Sequence, residues 1–149
     1  MAFNFKLEQI LTYRRNLEEQ AQLNLAKETK TLDVLYAQLA QFRAERQVLI
    51  NRFEELKKQA ISGSDFSFFM EGIHFKENEI GAQIKKIEKQ KRVVEKSRFV
   101  LFEKVKEKKI IEKLREKQAR DYIKEADKKE LKENDEKATM HYSRNMQLL

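Results

Sequence analysis

The sequence predicts an all-α chain folded as an antiparallel coiled-coil hairpin of two long helices, and three observations carry that prediction. Proline is absent and only 3 glycines occur in 149 residues, so the residues that most often end or kink a helix are nearly missing. Apolar residues recur in alternating steps of four and three over most of the length, which is the seam of a coiled coil. One stretch, residues 61–72, gathers small polar residues and glycines and reads as the only break.

The first helix is expected over residues 3–60. From Leu25 the ladder runs through Glu28, Leu32, Leu35, Leu39, Phe42, Arg46, Leu49, Phe53, Leu56 and Ala60, apolar at all but Glu28 and Arg46. Upstream, Leu7, Ile10, Leu11, Leu17 and Ala21 continue a face that Arg14 and Glu18 interrupt. The turn is placed at 61–72 and the second helix at 73–149. Its ladder holds Ile73, Ile80, Ile84, Ile87, Val94, Leu101 and Val105, with Glu77, Lys91 and Arg98 as polar rungs. Ile110 and Ile111 lie side by side, which one heptad phase cannot accommodate, so a stutter is expected there. Beyond it the apolar residues thin to Ala119, Tyr122, Ile123, Ala126, Leu131, Ala138, Tyr142 and Met146, and the end is expected to fray. At about 1.5 Å per residue the first helix would span about 87 Å and the second about 120 Å, so the second outruns the first. A short connection between long helices makes them antiparallel neighbours, within a single domain over 1–149.

Composition excludes several function classes. Without cysteine there is no disulfide framework, zinc–thiolate cluster or cysteine nucleophile. His74 and His141 lack partners at metal-ligand spacing, and no glycine-rich phosphate loop occurs, so no metal and no cofactor is expected. Two helices form no enclosing pocket, so an enzyme is not expected. Apolar residues never run long enough to span a membrane, and the charged opening Met1–Glu8 does not read as a signal peptide. The chain is therefore expected to be cytoplasmic.

Charge is placed unevenly. Of the 32 Lys+Arg and 25 Asp+Glu residues, the stretch Lys85–Lys117 holds 14 basic and 6 acidic. Such a strip serves either as a solvated helix face or as a surface for an acidic protein or for phosphate. Nucleic acid is disfavoured, because only Phe99 and Phe102 fall within the strip to stack on bases. Phe53, Phe66, Phe68, Phe69 and Phe75 gather about the turn, where they can cap the hairpin and leave a remainder exposed for docking.

The opening Phe3-x-Phe5-x-Leu7-x-x-Ile10-Leu11-x-x-Arg14-x-x-x-Glu18-x-x-Ala21, the long basic hairpin and the late Lys132-x-x-Asp135-Glu136-x-Ala138 together resemble the FliJ family of the bacterial flagellar type III export apparatus. The resemblance spans the whole chain. It implies a non-enzymatic coiled coil similar to the central stalk of rotary ATP synthases, whose terminal end enters the hexameric export ATPase FliI. It further implies contacts with the cytoplasmic domain of the export gate FlhA and with export chaperones, at the cytoplasmic side of the inner membrane at the flagellar base. Carried onto this chain, it points to Leu7, Ile10, Leu11, Arg14, Arg15, Glu18, Asp135, Glu136 and Ala138 as ring contacts. Tyr36, Phe69, Ile73 and His74 become the gate contacts. Two rival readings remain: the equivalent stalk of a virulence injectisome, and a basic coiled coil that binds nucleic acid or an anionic membrane, membrane contact otherwise being only peripheral.

Overall fold

A computed structural model of the chain describes residues 3–148. Two long helices, α1 (Glu8–Lys57) and α2 (Gly63–Leu148), account for nearly all of them, and no strand occurs among the described residues. Segments of both helices build two units. An inner unit comprises Glu19–Glu103 and a terminal unit comprises Met1–Glu18 with Lys104–Leu149.

The helix ends follow local chemistry. Before α1 the Glu8 amide donates to the Phe5 carbonyl at 3.2 Å, closing a turn, so the regular helix starts at Glu8 and not at the expected residue 3. The Glu8 carboxylate then sits in the first turn, where the helix dipole favours an anion. At the other end Lys58 and Gln59 donate to the carbonyls of Glu55 and Leu56, tightening the last turn and ending α1 at Lys57 rather than 60. The Asp65 amide donates to Ser62 Oγ at 3.1 Å, an N-cap that starts α2 at Gly63, ten residues before the expected 73. The sequence Ser62-Gly63-Ser64-Asp65 thus opens a helix, and the expected turn over 61–72 contracts to the few residues between Lys57 and Gly63.

Gly72 and Gly81 lie inside α2 with negative φ. A methyl at Gly81 would meet nothing within 4 Å. Gly81→Ala is therefore expected to raise the unfolding free energy by about 0.5–1 kcal/mol, read from a urea midpoint, by removing the entropy that glycine loses on folding.

In the inner unit the expected seam of α1 is observed from Leu25 to Phe53: Leu39 and Phe53 are buried, and Leu25, Glu28, Leu32, Leu35, Phe42, Arg46 and Leu49 are half-buried, whereas Leu56 and Ala60, its expected last rungs, are exposed where the helix ends. On α2 the set spaced by seven, Ile73, Ile80, Ile87, Val94 and Leu101, also faces inward. Its companion set does so only in part: Ile84 and Val105 are half-buried, but Glu77, Lys91 and Arg98 are exposed, and the residues that meet α1 are Lys76, Gln83, Gln90 and Ser97, each one residue before an expected rung. These four polar residues recur every seventh position, and each meets α1. Lys76 pairs with Glu45. Gln83 Nε2 donates to the Leu35 carbonyl at 2.9 Å and to Gln38 Oε1 at 3.0 Å. Gln90 Nε2 donates to the Glu28 carbonyl at 3.0 Å and its carboxylate at 2.7 Å. Ser97 Oγ accepts from Asn24 Nδ2 at 3.2 Å. The α1 numbers fall as the α2 numbers rise, so the pairing is antiparallel.

Buried polar seam residues lower stability and fix register, because any other alignment leaves them unpaired. Replacing Gln83 and Gln90 together by Leu is expected to raise the thermal midpoint while broadening amide NMR lines, as further alignments become populated. Sharp lines with an unchanged midpoint would remove the register role.

In the terminal unit Phe5, just before α1, and Leu11 within it are buried, the latter fully. Lys104, Lys108, Ile111, Arg115 and Gln118 of α2 are half-buried in the same three-four steps. No stutter is needed at the isoleucine pair, because Ile111 joins this set and Ile110 is 64% exposed. α2 is helical to Leu148. The expected last residue, 149, lies outside the described residues.

Candidate functional site

The terminal unit holds all of the residues expected to meet an ATPase ring, and its geometry divides them. Leu11 is fully buried and Leu7 half-buried, so both serve the hairpin interior. Arg14 Nη1 donates to Glu107 Oε2 at 2.7 Å, and Glu18 pairs with Lys108. Glu8 pairs with Arg115 at 3.4 Å, completing a row of charge pairs between the helices. The polar interruptions of the upstream seam are thus matched across it, and Arg14 and Glu18 face inward. Ile10 is 41% exposed, and Arg15 is exposed beside a shallow hollow with Phe3, Arg115 and Glu116.

Asp135, Glu136 and Ala138 do not return beside Arg14. The ring pair Phe3–Tyr122, with centroids 5.6 Å apart, joins the amino-terminal segment to α2. Asp135 lies thirteen residues further along α2, about 20 Å away. Every residue of α2 from Arg120 to Gln147 is exposed. This segment carries Ile123, Leu131, Met140, Tyr142 and Met146 into solvent at 56–64% exposure.

The inner unit holds the other candidates. Phe53 and Phe69 are buried, with ring centroids 5.7 Å apart, and Phe66 packs on Phe53 at 5.5 Å. Phe68 meets Phe69 edge-on at 5.6 Å yet is 68% exposed, and Phe75 is 59% exposed. Phe69 therefore holds the turn together, and its neighbours Phe66, Phe68 and Phe75 form the accessible patch. Ile73 belongs to the seam, whereas His74 is exposed. Tyr36 is 42% exposed with Lys91 Nζ 5.7 Å above its ring. The Tyr36 hydroxyl interaction raises the Lys91 pKa above its ordinary value.

The Lys76 ammonium, by hydrogen bonding, holds the Glu45 carboxyl below its ordinary range, and Gln41 adds to this. A depressed carboxyl pKa contributes stability at neutral pH that is lost as pH falls through the folded value. Lys76→Met is expected to move the Glu45 titration upward, as read by carboxyl-carbon NMR. An unmoved titration would contradict the pairing.

Among the described residues no group of His, Asp and Glu is placed to hold a metal ion, and no helix is long and apolar enough to cross a membrane. The hollow lined by Arg43, Arg46, Gln47, Glu77 and Ile80 is open and bordered by ordinary helix-surface side chains.

The profile of the flagellar FliJ protein matches residues 3–147. This chain belongs to the FliJ family. It is accordingly a protein associated with the flagellar type III export apparatus. Among solved structures it resembles a YscO homolog from Chlamydia trachomatis, at 18% identity and a TM-score of 0.61, covering 98% of this chain and 99% of that one. That likeness is one of fold. No curated protein matches the sequence.

Proposed function

We propose that the chain is a non-enzymatic, stalk-like coiled coil that engages the hexameric export ATPase, a FliI-like ring, through its terminal unit. The inner unit meets the cytoplasmic domain of a FlhA-like export gate and export chaperones. The observation that carries the reading is the α2 segment from Arg120 to Gln147, helical and exposed throughout, with Ile123, Leu131, Met140, Tyr142 and Met146 each more than half exposed. A single helix has a narrow cross-section, which suits entry into the opening of a ring.

In this reading Arg15, Ile10, Asp135, Glu136 and Ala138 are available to the ring, while Leu7, Leu11, Arg14 and Glu18 hold the unit that presents them. Gate or chaperone contact falls to Phe66, Phe68, His74 and Phe75, with Phe69 and Ile73 beneath them and Tyr36 further along α1. The protein works in the cytoplasm and associates peripherally with the inner membrane. The family match favours the flagellar system over an injectisome. The test is direct: the purified chain should raise ATP hydrolysis by its cognate export ATPase and co-purify with the gate's cytoplasmic domain. Neither effect would be seen if the stalk reading were wrong.

A further inference from the structure

On α2 within the inner unit, Lys85, Lys89, Arg92 and Lys96 are all exposed and are spaced by four, three and four residues, so they share one helix face. Each stands two positions from a buried seam residue: Lys85 and Lys89 flank Ile87, which is 4% exposed, and Arg92 and Lys96 flank Val94, which is 3% exposed. Two positions correspond to about 200° around the helix, so the cations point away from α1. None of the four has an ion-pair partner among the described residues. The same spacing continues to Phe99, 63% exposed, beside Val100 at 37% and Phe102 at 59%. The carboxylates nearest this face are Glu88 and Glu95 on its flank, Glu95 being paired with Arg98 at 2.8 Å, and the half-buried Glu103 one turn beyond Phe99 on the same line.

We infer that this face of α2, Lys85, Lys89, Arg92 and Lys96 ending at Phe99, lies on the surface of an anionic phospholipid bilayer. A planar anionic surface requires cations on one side of a helix, a length over which they act together and an apolar group that can enter the headgroup layer. All three are present, over about 16 Å of helix for the cations. Single-stranded nucleic acid would be held best by rings interleaved with the cations, whereas here the rings lie together at one end. An acidic protein would have to supply carboxylates matched to this spacing, a demand that a fluid headgroup layer does not make. The seam faces the other way, so docking leaves the hairpin intact. This inference rests on the peripheral membrane association proposed above and identifies the surface responsible.

The experiment is co-sedimentation of the full chain with vesicles of phosphatidylglycerol in phosphatidylcholine, compared with phosphatidylcholine alone, across a salt series. Binding should require phosphatidylglycerol and fall steeply with salt. The variant Lys85→Gln, Lys89→Gln, Arg92→Gln, Lys96→Gln should bind several hundred-fold more weakly, because each of the four cations near such a surface is worth about five-fold. A second variant removes the same charge elsewhere, at the exposed Lys27, Lys30, Lys58 and Lys137, each replaced by Gln. It should lose much less. Phe99→Ser should weaken the binding that survives high salt. Equal losses for the two charge variants, binding to phosphatidylcholine alone, or tighter binding of an oligonucleotide than of the vesicles at the same salt would each overturn the proposal. ATPase stimulation in lipid-free solution should be unaffected by the stripe variant, so failure of the stalk reading and failure of this one are read separately.

Discussion

Ile87→Ala is expected to lower the unfolding free energy of the inner unit by about 2–4 kcal/mol, the range for removing a buried aliphatic side chain that leaves a cavity. Ile87 is 4% exposed and lies midway along the inward set of α2, between Ile80 and Val94. Leu39→Ala on the facing helix, where the side chain is 6% exposed, should cost a similar amount. Ile84 is only half-buried, one position outside the Gln83 rung, and its replacement by Ala should cost about half as much. Lys89→Ala, on the exposed face, should change stability by under about 0.5 kcal/mol. Urea denaturation of the four variants gives the comparison. If Ile84→Ala proved as costly as Ile87→Ala, Gln83 would not be the inner rung and the observed register of α2 would be wrong.

That ordering also marks how far the fold could be read from the amino acids. The seam of α1 was legible because Leu32, Leu35, Leu39, Phe42, Leu49 and Phe53 are apolar at both steps of the heptad. On α2 only one step is reliably apolar. The other had to be chosen between Glu77, Ile84, Lys91, Arg98 and Val105 on one side and Lys76, Gln83, Gln90, Ser97 and Lys104 on the other. Hydrophobicity favours the first set, since it contains Ile84 and Val105. The structure favours the second because amides and a hydroxyl can be satisfied inside the seam, Gln83 and Gln90 by α1 carbonyls and Ser97 by Asn24. Apolar counting has no means of seeing a partner carried by another helix.

The start of α2 was misplaced for a related reason. Ser62 and Gly63 look like a breaker, and only the hydrogen bond from the Asp65 amide to Ser62 Oγ reveals a cap. At the candidate site, the sequence showed that the second helix outruns the first. It could not show that Arg14 would find Glu107 rather than Asp135, because that depends on the alignment of two helices nearly a hundred residues apart in the chain.

The second large effect is functional. A chain ending at Ala126 keeps the Phe3–Tyr122 contact and every charge pair of the terminal unit, since these involve no residue beyond Tyr122. It loses Leu131, Met140, Tyr142 and Met146, the exposed apolar side chains that the stalk reading assigns to the ATPase ring. Stimulation of hydrolysis should then fall by at least about tenfold, equivalent to about 1.4 kcal/mol of lost coupling. Binding to the gate's cytoplasmic domain should be retained. Replacing Phe66 and Phe68 by Ser should do the reverse, weakening gate binding and sparing hydrolysis.

The measurement that bears most directly on the proposed function is therefore the hydrolysis rate of the cognate export ATPase hexamer. It is taken with the full chain and with the chain ending at Ala126, at matched concentration and with circular dichroism to confirm that both are helical. Strong stimulation by the full chain and little by the shortened one is expected; equal stimulation by both would contradict the proposal, because the part of α2 beyond Ala126 would then have no part in engaging the ring.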